Sequence, residues 1–159
     1  MPSQQVTYAA QPQIEIADSC IERLSESVRF PTIFYGDATL IDSTAFAGFV
    51  DFLETSFPLV FSRLDVTYVN DYGVLVKWPG SDASLMPFLL MAHSDVVPAD
   101  AEKWTHPPFQ GMVKDGFIWG RGTMDNKGNL LAIMEAAEML LAEGYAPKQT
   151  VYLAFGHDE

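Results

Sequence analysis

Leu85-Met86-Pro87-Phe88-Leu89-Leu90-Met91-Ala92-His93-Ser94-Asp95 is the stretch on which the fold turns. The run up to Ala92 is nearly continuous in apolar residues, without the alternation of a half-exposed strand, and so predicts a strand buried on both faces of a sheet. Two ionisable groups follow at once, and burying them after such a run is costly unless each finds a partner. Downstream, Leu130, Ile133, Met134, Ala137, Leu140 and Leu141 recur at helical spacing. They predict a helix running from after Asp125 to Gly144, a residue suited to the C′ position. Val151 to Phe155 predicts a second buried strand. Strand, helix of about sixteen residues and strand in that order form a crossover unit, so the chain reads as α/β. In such sheets functional residues gather at the carboxyl ends of the strands, and His93, Asp95 and Glu159 all fall there.

Upstream, Ile14, Ala17, Ile21, Leu24 and Val28 mark an amphipathic helix over 14–28, with Cys20 beside the stripe and Pro31 beyond its end. Asp42 or Ser43 caps a second helix whose Phe46, Phe49, Val50, Leu53 and Phe57 form one face, ending at Pro58. Val66 to Val69 and Val74 to Trp78 flank Asn70-Asp71-Tyr72-Gly73 as a hairpin, with Gly73 expected to supply the positive φ. Met112 to Trp119, broken at Lys114-Asp115-Gly116, is a second hairpin, joined to the buried strand by a proline-rich loop from Pro98 to Pro108. Residues 1–13 are polar with two prolines and read as a disordered lead-in.

At 159 residues and 48% hydrophobic, the chain has enough apolar side chains for one domain with a core. Nine basic against twenty-one acidic residues give a formal charge of −12, which disfavours nucleic acid and anionic membrane surfaces as partners. The single Cys20 has no intrachain disulfide partner and is expected as a buried thiol in a reducing compartment. With no apolar stretch of about eighteen residues and no signal-peptide layout, the expected location is the cytoplasm, without a membrane segment.

Three stations carry the candidate chemistry. In His93-x-Asp95 both side chains share one face of an extended segment. A histidine that binds a metal commonly hands its other ring nitrogen to a carboxylate or carbonyl, and Asp95 can serve. The alternative is a strand-end histidine beside a loop-capping aspartate. Gly120-Arg121-Gly122-Thr123-Met124-Asp125-Asn126-Lys127-Gly128 has three glycines but fits neither a dinucleotide fingerprint nor a phosphate loop. Its carboxylate repels phosphate and attracts metal, the alternative being that Asp125 caps the following helix. Glu159 ends a strand segment, where a carboxylate can take a proton from water; the alternative is a solvated terminal residue. His157 reads as a satisfied strand-end histidine, and His106 as part of a packed aromatic loop with a smaller claim to touching substrate.

Taken together, Met91-Ala92-His93-Ser94-Asp95-Val96-Val97-Pro98, the loop with Trp104 and Pro108-Phe109, Trp119-Gly120-Arg121-Gly122 with Asp125-Asn126-Lys127-Gly128, and Ala154-Phe155-Gly156-His157-Asp158-Glu159 resemble, in that order, the zinc metallopeptidases that include carboxypeptidase S, aminoacylase and acetylornithine deacetylase. The likeness covers roughly 15–159 and is greatest to the carboxypeptidase S branch. It implies a zinc-peptidase-like catalytic domain with a mixed sheet flanked by helices, of which 14–159 is the amino-terminal part, without the lid domain. It also implies two zinc ions, replaceable by cobalt, with His93 binding one, Asp125 bridging both, Asp95 orienting His93 and Glu159 acting as general base. A cis peptide after the bridging aspartate, here Asp125-Asn126, is common in the family. The substrate implied is a peptide or an N-acyl amino acid.

In the family a second glutamate follows the base, and a later aspartate and histidine complete the two sites. None follows Glu159 in this chain, which is therefore expected to be inactive alone. Two readings result: the amino-terminal piece of a di-zinc amide hydrolase, or a non-catalytic fragment that at most associates with another polypeptide.

Overall fold

The computed structural model describes residues 15–159. The expected lead-in over 1–13, and Ile14, lie outside the described residues.

Among the described residues, four α-helices and six strands make up the architecture: α1 Asp18–Val28, α2 Ser43–Ser56, α3 Pro58–Arg63, β1 Asp65–Val69, β2 Gly73–Trp78, β3 Phe88–His93, β4 Met112–Lys114, β5 Phe117–Trp119, α4 Lys127–Ala142 and β6 Val151–Gly156. The main sheet has the order β1-β2-β6-β3, while β4 and β5 form a separate ribbon. β1, β2 and β6 pair antiparallel, and β3 joins β6 in parallel. The sheet is thus mixed, and β3, α4 and β6 form the expected crossover.

The core lies between one face of the sheet and the helices. Phe49, Leu53 and Phe57 from the α2 region, Val60 of α3, Leu130 and Met134 of α4, and Val76 and Leu153 of the sheet are almost completely buried. Complete burial of each such side chain contributes about 1.5–3 kcal/mol. α2 starts where Asp42 accepts from the amides of Thr44 and Ala45, one of the two capping options in the sequence.

Three strand expectations need correction. β3 is not buried on both faces: Phe88, Leu89 and Met91 are 49%, 52% and 69% exposed. It is an edge strand of the sheet, and an apolar run reports side-chain type without reporting which neighbours arrive to cover it. The strand also starts at Phe88, after Pro87, which lacks an amide to donate. In the first hairpin the left-handed residues are Asn70 (φ 49°) and Asp71 (φ 68°), with Gly73 already in β2; short polar side chains tolerate this conformation. Pro58 lies just beyond the end of α2, as expected, but a further helix follows. Pro58 opens this α3 at the first helical position, where a missing amide has no cost.

The smaller ribbon follows expectation, with Asp115 and Gly116 at positive φ between β4 and β5. α4 closes with Gly144 at φ 74° just beyond its C-cap Glu143, as expected of a C′ glycine. Cys20 is half-buried, less than expected, because α1 meets α4 along a polar seam where Arg23 pairs with Glu135.

Candidate metal centre

Parallel pairing of β3 with β6 sets His93 opposite Gly156. The Ser94 amide and hydroxyl both donate to the Gly156 carbonyl, at 2.8 and 3.1 Å. The two strand ends are therefore locked together, and Glu159, three residues beyond Gly156, reaches His93. Asp125 arrives from the Gly120–Gly128 loop, where Gly122 takes φ +91° and an added Cβ would lie 2.8 Å from Val96 Cγ1. Only glycine permits both that backbone and that approach. The amide of Lys127 donates to the Gly122 carbonyl at 3.0 Å and closes the loop. The Asp125-Asn126 peptide is cis, as the family resemblance implied.

The side chains of His93, Asp125 and Glu159 converge so that one ligand atom from each lies within 4.8 Å of the others. His93 Nε2 is 3.1 Å from Asp125 Oδ1 and 2.5 Å from Glu159 Oε2. His93 is nearly enclosed, whereas the Asp125 and Glu159 side chains are 87% and 70% exposed. On its other edge, His93 Nδ1 lies 3.0 Å from the Asp95 carbonyl and 3.4 Å from Asp95 Oδ1. A carbonyl only accepts, so a neutral imidazole here carries its proton on Nδ1, and in that tautomer the Nε2 lone pair faces the two carboxylates. Three electron-rich atoms pointed at one another repel unless a cation joins them, and an imidazole with two carboxylates is a zinc-type donor set. The residues present fit a divalent metal ion.

Asp95 is buried, and burial raises its carboxyl above the usual aspartate range, against the opposing pull of His93 and the Glu159 amide. Its Oδ1 has no hydrogen-bond partner. The orientation expected of the Asp95 side chain thus comes chiefly from its backbone carbonyl. Asp125 does not cap α4: the N-cap position is Asn126, with no side-chain capping bond. His157 is buried edge-on between Phe46 and Tyr72 and stays out of the cluster, as its spacing suggested. His106 packs edge-on to Trp119 with ring centroids 4.9 Å apart.

Lys127 and Thr32 had no assigned role in the sequence reading, yet both brace this region. Lys127 is fully buried, and burial pulls its ammonium down to about 7 despite the attraction of Asp95. Its Nζ donates to the carbonyls of Ser27 and Phe30 at 2.8 and 2.7 Å and sits 4.6 Å from the Phe49 ring centroid. One signal was available: a cation at the first turn of a helix opposes the helix dipole, and so marks a side chain with a specific partner elsewhere. Beside the cluster, a cavity of about 560 Å³ is lined by apolar groups including Val69, Leu75 and Met91.

Residues 89–159, which hold all four site candidates, match the model of Peptidase family M20/M25/M40. This segment is similar to the M20 peptidases. The likeness to M20 relatives extends over the rest of the chain. It is 42% identical over 156 residues to a probable carboxypeptidase S-like 2 of Dictyostelium discoideum, covering 96% of this chain and 29% of that protein. It is 43% identical over 140 residues to an N-fatty-acyl-amino acid synthase/hydrolase of Mus musculus, covering 87% of this chain and 28% of that one. The M20 family metallo-carboxypeptidase Sso-CP2 of Sulfolobus solfataricus shares the fold with a TM-score of 0.68 at 24% identity, over 90% of this chain and 31% of that structure. The chain thus spans less than a third of the length of each of these proteins.

Proposed function

We propose that this chain supplies the first ligand group and the general base of a di-zinc amide hydrolase, of carboxypeptidase or N-acyl amino acid hydrolase type. The observation that carries this reading is the convergence of His93 Nε2, Asp125 and Glu159 from three separate segments. The names of the M20 relatives supply the substrate classes, a peptide or an N-acyl amino acid. Residues 14–159 would then be the amino-terminal part of a metallopeptidase catalytic domain.

In this reading His93, through Nε2, and Asp125, exposed on its loop, would hold the zinc. Zinc, when bound, supplies a Lewis acid that polarises a carbonyl and lowers the pKa of water toward neutrality. Glu159 accepts the proton of the attacking water and returns it to the leaving nitrogen. Asp95 holds His93 in the required tautomer, mainly through its carbonyl. The apolar cavity beside the cluster offers a surface for an apolar substrate side chain or acyl group.

One imidazole and one carboxylate are a thin donor set for two ions, since a catalytic zinc commonly has three protein ligands of its own. The 159 residues alone are therefore proposed to be inactive. The rival reading, a non-catalytic fragment, leaves the ligand geometry without a purpose. The experiment uses a longer protein in which this chain is followed by the remaining ligands. There Glu159→Gln should abolish amide hydrolysis while metal content, read by elemental analysis, stays near wild type. Loss of metal together with activity would make Glu159 a ligand and overturn its role as base.

A further inference from the structure

The two metal-ligand segments are separated in sequence, yet one short piece of chain touches both. At one end, the Val96 amide donates to the Thr32 carbonyl at 2.8 Å, the Phe34 amide to the Val96 carbonyl at 3.0 Å, and Thr32 Oγ1 to the Ser94 carbonyl at 2.6 Å. Ile33 and Val96 form a parallel bridge. These contacts fix the backbone directly after His93. At the other end, Lys127, two residues after Asp125, sends its ammonium to the Ser27 and Phe30 carbonyls. Phe30 and Thr32 are two residues apart, and the backbone between them is too short to stretch appreciably.

Resting on the metal-centre reading above, we propose that Ser27–Phe34 is a strap that sets the separation of His93 and Asp125, with Lys127 as the positioning residue that ties the Asp125 loop to it. α1 ends at Val28, and the ammonium adds a donor to the Ser27 carbonyl of its last turn and to the Phe30 carbonyl just beyond it, complementing the helix dipole. A buried charge is expensive unless its hydrogen-bonding capacity is met. Methionine has similar length and no such cost, but it makes no directional bond to a carbonyl and would leave the loop free to shift. Through its amide to Gly122 and its ammonium to α1, Lys127 holds the Asp125 loop at both backbone and side chain. The strap does not touch the reacting atoms; it acts through the spacing of the ligands.

The test uses the full chain, with Lys127→Met as the main variant and Thr32→Val as a milder one at the opposite end of the strap. Two measurements are made: amide hydrogen exchange without metal, and Co2+ affinity from its visible absorbance. Lys127→Met should speed exchange over residues 122–127 while β2 and β6 stay protected, and should weaken Co2+ binding about 10–100-fold, the usual scale for a group that orients ligands. Thr32→Val should shift both readouts in the same direction, and the two substitutions should combine less than multiplicatively because they cut one strap. A Lys127→Met protein with an intact sheet but wild-type loop exchange and Co2+ affinity would overturn the proposal. If Lys127→Met fails to fold, Thr32→Val decides, and wild-type values there overturn it. Absence of Co2+ binding by the wild-type chain would overturn the metal-centre reading instead; loop exchange would then still uphold or overturn the strap.

Discussion

At the scale of single residues, chemistry follows from what the side chain faces. The spacing of His93-x-Asp95 pointed to a histidine held by a carboxylate, whereas Nδ1 lies closer to the Asp95 carbonyl, at 3.0 Å, than to its side chain, at 3.4 Å. Alternation in an extended segment specifies a shared face and leaves the choice between main-chain and side-chain oxygen to the turn that follows. Tyr68 shows the same dependence on surroundings. Partial desolvation of a residue that stays 46% exposed, and then the hydrogen bond and charge of Glu54, push its phenol up to about 12. A phenol is neutral when protonated, so a folded pKa above the unfolded value of about 10 stabilises the fold below that pH. The contribution is lost as pH rises through about 12. Glu54→Gln should lower the Tyr68 midpoint toward the ordinary value while partial desolvation keeps it somewhat raised. Phenolate absorbance in an alkaline titration, with Tyr68→Phe as the assignment control, reads this directly, and a titration superimposable on wild type would refute it.

Helices and strands were legible where periodicity was long. α4 appears as its apolar stripe required, and so does the face of α2. α3 was not visible, because six residues give too little period and the proline that opens it signals a break as readily as a start. What permits α3 is a partner distant in sequence: Glu138 on α4 accepts from the amides of Leu59 and Val60, both at 2.9 Å. The carboxylate thus caps α3 from outside and meets the positive end of its dipole. Glu138→Ala should cost about 1–2 kcal/mol, measured by chemical denaturation, and an unchanged midpoint would show that the α3 N-terminus is satisfied without it.

For the molecule as a whole, the helices cover one face of the sheet and β3 stands at its edge with Leu89 and Met91 exposed. An uncovered apolar strand edge favours association between copies, and a formal charge of −12 opposes it. Salt screens that repulsion, so the chain should self-associate as ionic strength rises. Leu89→Lys with Met91→Lys should suppress this in light scattering while leaving the circular dichroism unchanged. Salt-independent monomers in the wild-type chain would contradict the argument. Activity belongs to the same scale. The 159 residues with added zinc or cobalt should hydrolyse no N-acyl amino acid or blocked dipeptide in a sensitive amine-release assay, and metal-dependent turnover by them alone would refute the proposed incompleteness of the site.

Residue type and period were enough to read the α/β class, the crossover from β3 through α4 to β6, and His93, Asp95, Asp125 and Glu159 as candidates, while the family resemblance of the ordered motifs gave these residues their roles. These are local properties: a helical stripe, an apolar run or a glycine-flanked carboxylate is written within a few neighbouring positions. The tertiary structure alone decided that β3 is an edge, that Asp125 faces His93 instead of capping α4, and that a buried lysine joins the Asp125 loop to the end of α1. Each of these depends on which distant segment comes to lie alongside, through pairing and packing that no local pattern encodes.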